Sequence, residues 1–413
     1  MAKSLGNIYE RRKKQIKVQI FTRNFCGSIK DFKINDLNLI GGAEIYLHDL
    51  STLFMKLGVE VEIIQLGFKK EIIKKKCLTI KFIQIKGTFK RLFFPYFISR
   101  EFSKLEDEDT FKVYNYPRYS IFRKTTYKNT IGIFHGVEWD TKLIPYIYRE
   151  LKYRRANFTG LIYSIMKYIY FSIIVPYCIR KSFSKLDRIV SVDTNIFNYI
   201  KKKFFHKIIL IPNYVDLKMF NPLILPIMND KNKKIILVPR NLNIARGVHL
   251  IPRIVNILRK RRSDFIFYLV GTGPLEKFLE QQIRKDNLYN YIKLLGHINH
   301  FDLPGYYTAS TLVLVPSLFS EGTSLAVLEG MACGKVVLTT DVGGIKEIGN
   351  DGITKIVISA NPTNIAEKIN ILLDNGCLRR KIGEEAFKYV KKKFSKGLWE
   401  KKWKDLILSY EIN

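Results

Sequence analysis

Two carboxylates eight positions apart, Glu321 and Glu329, bracket the start of a run, Leu325 to Cys333, that is otherwise apolar. An unpaired charge cannot be buried in such a helix, so Glu329 requires a partner, and ribose hydroxyls would serve. Glu321 lies in the preceding loop, where a second polyol could be held. The amides of Thr323, Ser324 and Leu325 at the helix start form a ready anion site. A capping carboxylate plus a buried salt bridge is the alternative for this pair. A second stretch is the β-type segment Ile235–Pro239 followed by Arg240, then Arg246-Gly247 at a helix start. Two guanidinium groups there suit a diphosphate, because each offers paired donors; ordinary surface arginines are the alternative. Gly41-Gly42-Ala43-Glu44 is a third candidate, since paired glycines let backbone amides approach a phosphate, although a plain loop-to-helix junction reads the same way. The fourth is His135, in Phe134-His135-Gly136-Val137-Glu138-Trp139-Asp140, again at a strand end.

These residues need elements to hold them. Short β-branched runs alternate with helical stretches throughout, the pattern of a parallel α/β sheet. Expected strands in the first half are Ile16–Phe21, Val59–Leu66, Thr79–Ile85, Lys112–Asn115, Thr130–Phe134, Arg188–Val192 and Ile208–Ile211. The second half offers Ile235–Pro239, Phe265–Val270, Tyr291–Leu295, Thr311–Val315, Val336–Thr339 and Thr354–Ile358, with amphipathic helices such as Ala43–Leu57 and Val248–Lys260 between strands. The fold class is therefore α/β, with two doubly wound domains. The expected boundaries are 1–212 for the first domain, 213–232 for a proline-bearing linker, 233–394 for the second domain and 395–413 for a terminal helix.

The chain has 413 residues, 70 Lys plus Arg against 37 Asp plus Glu, and a formal net charge of +33. Residues 1–210 hold 40 of the basic but only 18 of the acidic side chains, so most of the excess lies there. Such a field attracts anions without saying whether they are phospholipid headgroups, nucleic acid or a phosphorylated substrate; a lysine-rich surface that maintains solubility is the plain reading. No nucleic-acid-binding module is recognisable, so no specific nucleic-acid partner is expected. The five cysteines are scattered and form no CxxC pair, which argues against a disulfide framework or zinc site and for a reducing compartment. The basic Arg11-Arg12-Lys13-Lys14 leads into no signal-peptide core; a cytoplasmic location is expected.

The set of motifs resembles the retaining glycosyltransferases of family 4, which have the GT-B fold of two Rossmann-like domains facing across a cleft. The elements that carry the resemblance are Glu321 to Glu329, Val270-Gly271-Thr272-Gly273-Pro274, Ile211-Pro212-Asn213-Tyr214-Val215-Asp216 with Phe220, and Gly343-Gly344. It implies that Arg240 and Arg246 bind a donor diphosphate together with the amides at 323–325. It implies that Glu329 holds the ribose, Glu321 the hydroxyls of the transferred sugar, Gly41 and Gly42 the phosphates, and His135 the sugar. It also implies that the terminal helix crosses back to the first domain, and a glycan or lipid-linked acceptor in surface polysaccharide synthesis. Two departures stand out. Pro239 replaces the glycine that usually precedes the first arginine, and Arg246 replaces a lysine. A sugar-nucleotide epimerase on the same fold, and a non-catalytic basic binding protein, are the competing readings.

No metal or other cofactor is expected. Asp107-Glu108-Asp109 spells a cation-binding DxD, but in an acidic run that reads as a solvated loop, and His297 with His300 lacks suitable partners. Residues Leu161–Ile179 are almost wholly apolar and aromatic and are flanked by basic clusters at Arg149–Arg155 and Arg180–Lys185. They suit a helix lying in an anionic membrane interface at the inner face of the cell membrane, with a buried core helix as the alternative.

Overall fold

The alternating apolar runs become two parallel sheets in a computed structural model. It describes residues 17–23, 25, 42–67, 69–84, 94–124, 128–135, 162, 165, 166, 169, 173–227, 233–319 and 321–411. The chain divides into two compact units. The first holds the described residues through Phe134, with Val175–Val190 and Lys203–Ile209. The second holds His135, the described residues from 162 to 174, Ser191–Lys202 and everything from Leu210 onward.

In the first unit the strands are β1 (Lys17–Phe21), β2 (Glu60–Leu66), β3 (Glu71–Lys75), β4 (Leu78–Ile83), β5 (Phe111–Tyr114), β6 (Thr130–Phe134), β7 (Arg188–Ser191) and β8 (Ile208–Leu210). They lie in the order β3-β4-β2-β1-β5-β6-β7-β8. β1 pairs in parallel with both β2 and β5, so the strand order reverses between β1 and β5. At the carboxyl ends of those two strands Asn115 Nδ2 donates to Thr22 Oγ1 at 3.0 Å. Helix α1 (Gly42–Lys56) covers the sheet with Leu47, Leu50, Leu53 and Phe54, a spacing of three or four that puts them on one helical face. β3 departs from the expected strands. It pairs antiparallel with β4 at the sheet edge, and its lysine-rich, exposed side chains carry no apolar period for the sequence to display. α2 (Phe94–Ser103) is likewise an addition.

The second sheet comprises β9 (Lys234–Pro239), β10 (Phe265–Val270), β11 (Ile292–Gly296), β12 (Leu312–Val315), β13 (Val337–Thr339) and β14 (Ile356–Val357). The order is β11-β10-β9-β12-β13-β14, all parallel. Numbered within the unit this is 3-2-1-4-5-6, the doubly wound order, whose ligand crevice opens beyond the carboxyl ends of its first and fourth strands. Every residue of β10 is buried, as expected for a central strand covered on both faces. Ile236, Val238, Phe265, Phe267 and Leu269 join one core. Ile235, Leu237, Ile266, Tyr268 and Val270 join the opposite one, following the two-residue period of strands. Val215 and Phe220, from the expected linker, are built into that second core. The expected strand Thr354–Ile358 shrinks to β14. The expected helix Val248–Lys260 becomes a 3-10 turn, Val248–Leu250, and then helix Ile251–Leu258, with Pro252 in its first turn, where a missing amide hydrogen costs nothing. No helix among the described residues is long and apolar enough to cross a membrane.

Replacing Phe267, fully buried in β10, by Ala is expected to cost roughly 3–5 kcal/mol. Urea unfolding monitored by circular dichroism checks this; a loss below about 1 kcal/mol would mean that the strand is not the centre of the core.

Candidate active site

The site residues stand where the sheet order reverses. Arg240 directly follows β9, and its amide donates to the Val270 carbonyl at 2.9 Å. Gly271, at φ +134, passes so close that a Cβ there would lie 2.5 Å from the Arg240 carbonyl oxygen; one on Gly273 would lie 2.5 Å from that of Leu242. The glycine-rich loop thus clamps the backbone on either side of Arg240. Arg246 ends a 3-10 turn, Ile244–Arg246, and its amide donates to the side chain of the N-cap Asn243 at 3.1 Å. Gly247 then takes a left-handed φ of +72 with its Cα facing the Pro316 carbonyl, so any side chain there would collide with the loop after β12.

Both arginines converge on Glu321. Arg240 Nη2 lies 2.7 Å and Arg246 Nη1 3.1 Å from Glu321 Oε2. Ser317 Oγ donates to the same oxygen at 2.7 Å and accepts from Arg240 Nη2 at 2.8 Å. Ser324 Oγ donates to Oε1 at 3.2 Å. Burial would raise the Glu321 carboxyl, but the adjacent Arg240 and Arg246 charges outweigh it and hold the group down at about 2. One carboxylate against two guanidinium groups leaves a net positive charge, and the buried Nε of Arg240 has no hydrogen-bond partner among the described residues. The loop carrying Glu321 is fixed from several directions. Gly344 N donates to the Glu321 carbonyl at 2.6 Å, Asn213 Nδ2 to that of Thr323 at 2.7 Å, and the Thr323 hydroxyl to the Val192 carbonyl. Helix α8 (Leu325–Ala332) starts next, with Ser324 as N-cap and no side chain capping its amides.

Glu329 has the partners that its burial requires. The partner it needs is supplied from within: Tyr307 OH donates to Oε2 at 2.7 Å and His300 Nε2 lies 2.9 Å from Oε1. The ring of Phe220 packs 5.2 Å from that of His300 and 5.8 Å from that of Tyr307. The buried pairing, the alternative for this residue, is thus present, and a ribose would use the carboxylate's remaining lone pairs. Nothing local in the sequence ties Tyr307 or His300 to Glu329, since they lie 22 and 29 positions away.

His135 follows β6, and burial pulls its imidazole down to about 3, so it is neutral near pH 7. Its carbonyl lies against Gly322, where a Cβ would approach to 2.7 Å. Gly42 opens α1 in the first unit; Gly41 lies outside the described residues. The structure brings Arg240, Arg246, Glu321 and Ser324 into direct contact, places Thr323 and Leu325 beside them, and adds Ser317. Glu329 forms its own cluster with Tyr307 and His300. Asp107 to Asp109 occupy an exposed turn before β5, where the Asp109 amide donates to the Asp107 carboxylate. No group of three or more His, Cys, Asp or Glu among the described residues could hold a metal ion.

Glu321 was ionised at a depressed value, so its pairing stabilises the fold fully above the ordinary carboxyl range and is lost as pH falls through about 2. Glu321→Gln is expected to cost roughly 3–5 kcal/mol at pH 7. The gap to the unsubstituted protein should narrow between about pH 4.5 and 2. Urea titrations across that range check it; a gap independent of pH would contradict the ion-pair assignment.

Residues 226–389 match the family described as glycosyl transferases group 1. An uncharacterized glycosyltransferase of Methanocaldococcus jannaschii is 40% identical over 139 residues, covering 33% of this chain and 38% of that one. The chain thus spans well under half of that relative's length. Among solved structures, sucrose-phosphate synthase from Thermosynechococcus elongatus superposes with a TM-score of 0.73 at 15% identity, covering 96% of this chain and 99% of that one. Anabaena HepE, in complex with UDP and glucose, does so with a TM-score of 0.67 at 15% identity, covering 95% and 100%. These likenesses establish the GT-B fold. Residues 226–389, the segment that matches the glycosyl transferases group 1 family, carry Arg240, Arg246, Glu321 and Glu329.

Proposed function

We propose that the protein is a retaining glycosyltransferase that moves a sugar from a nucleotide diphosphate to a glycan or lipid-linked acceptor in cell-surface polysaccharide synthesis. The observation that carries this reading is the Arg240–Glu321–Arg246 cluster at the strand-order reversal, with net positive charge and an Arg240 Nε that has no partner among the described residues. HepE, a structural neighbour, binds UDP and glucose. A diphosphate would accept from the free guanidinium edges and from the uncapped amides at the start of α8. Fixed charges of this kind stabilise a leaving diphosphate without a metal ion. In the proposed front-face step the bond from the anomeric carbon to the phosphate oxygen breaks as the acceptor oxygen bonds to the same face. The acceptor proton passes to the departing phosphate oxygen. Glu321 keeps lone pairs for hydroxyls of the transferred sugar. His135, neutral, would position that sugar by hydrogen bonding and need not act as a base. Glu329 would accept from the ribose.

The reaction is proposed to occur at the cytoplasmic face of an anionic membrane. Ile162, Ile165, Met166, Ile169 and Ile173 are all exposed, and intervals of three, one, three and four positions are those of one side of a helical wheel. Eight of the nineteen residues Leu161–Ile179 lie outside the described residues. The sequence places Arg180 and Lys181 just beyond it on a chain of net charge +33, a pairing of apolar face and bases that fits an interfacial helix.

A panel of nucleotide sugars, incubated with the purified protein in EDTA, should yield one donor that is bound saturably and turned over. Arg240→Ala should lower its kcat/KM by about 100-fold or more with an unchanged circular dichroism spectrum. Undiminished turnover would remove Arg240 from the mechanism. Co-sedimentation with phosphatidylglycerol vesicles should exceed that with phosphatidylcholine and fall when Ile165, Ile169 and Ile173 become Ser; no fall would refute the membrane contact.

A further inference from the structure

The Glu329 cluster holds more than a buried carboxylate needs. Tyr307 is fully buried beneath Glu329 and donates to Oε2. That bond alone ties the side chain to helix α7 (Leu303–Ala309). His300 comes from the loop between β11 and α7, contacts Oε1 from the partly exposed side, and is braced by the ring of Phe220. An ionised carboxylate offers about four lone-pair positions. Two donors on opposite oxygens use one position each and fix the plane of the group, leaving one free position on each oxygen. Two acceptors at a set spacing match the two hydroxyls of a vicinal diol. A carboxylate held by Tyr307 alone could rotate about its own axis and would present no such pair.

We infer that His300 is a positioning residue: it fixes the Glu329 carboxylate so that its free lone pairs accept from the 2′- and 3′-hydroxyls of a nucleotide ribose, making the site selective for ribonucleotides over 2′-deoxyribonucleotides. The inference rests on the donor reading above and adds to it a second residue and a selectivity. His300 itself touches no reacting atom. Its contribution is the loss of carboxylate rotation before the ligand arrives, which improves affinity by reducing the ordering cost on binding.

The test is calorimetric titration of the full chain with UDP, GDP and ADP and with their 2′-deoxy forms. For the base that binds, the unsubstituted protein is expected to favour the ribonucleotide by about tenfold, the worth of one hydrogen bond to a charged group. His300→Ala should weaken the ribonucleotide by a similar factor and leave the 2′-deoxy form within about twofold, because the hydroxyl that profits from positioning is absent. His300→Gln, whose amide can still donate to Oε1, should retain most of the preference, and it carries the test if the Ala variant does not fold. An equal loss for ribo and deoxy forms, or a preference untouched by either substitution, would overturn the inference while leaving the donor reading intact. Binding of none of the three diphosphates by the folded, unsubstituted protein would overturn both.

Discussion

A carboxylate buried against two guanidinium groups has to be paired completely or not at all, and the second unit is organised around that demand. Leaving one partner of such a cluster alone costs about 3–5 kcal/mol, a large part of the roughly 5–15 kcal/mol by which domains are stable. Glu321 draws on the ends of two different strands: Arg240 after β9, and Ser317 after β12, with Arg246 reaching in from the 3-10 turn. These are the two strands between which the sheet order reverses. The ion cluster therefore pins the rim of the crevice where a doubly wound sheet receives its ligand. Because one negative charge faces two positive ones, the same contacts that hold the rim keep it attractive to an anion.

Glu321 and Glu329 show how surroundings divide one residue type into two tasks. Glu321 meets permanent charges, so its pairing is ionic and its carboxyl is held at about 2. Glu329 meets a tyrosine hydroxyl and an imidazole, a pairing built from hydrogen bonds and braced by Phe220. The first suits a place beside charged phosphates. The second suits neutral hydroxyls.

The net charge of +33 and the local charge of the site act over different ranges. Surface charges are screened beyond about 10 Å in ordinary buffers, so the global excess can bring anionic surfaces or substrates near but cannot fix their orientation. Orientation comes from buried groups of set geometry, such as Arg240, whose Nε has no hydrogen-bond partner among the described residues.

How much of this was legible in the chain follows from what each feature depends on. The α/β class was readable because β-branched runs such as Ile235–Pro239 and Phe265–Val270 display their own period, and the observed strands β9 and β10 nearly coincide with them. Arg240, Arg246 and Glu321 were readable because strand ends and helix starts are local features. β3 was not, since an exposed edge strand needs no apolar pattern. The partners of Glu329 were not, because Tyr307 is 22 and His300 29 positions away and only packing brings them together. Nor was the role of Gly271 and Gly273, which answers to the Arg240 and Leu242 carbonyls on a neighbouring strand end. The sequence by itself determined which residues carry charge and which segments form strands and helices, because those are properties of neighbours in the chain. Only the tertiary structure decided which charges meet, since that depends on the order in which strands lie side by side.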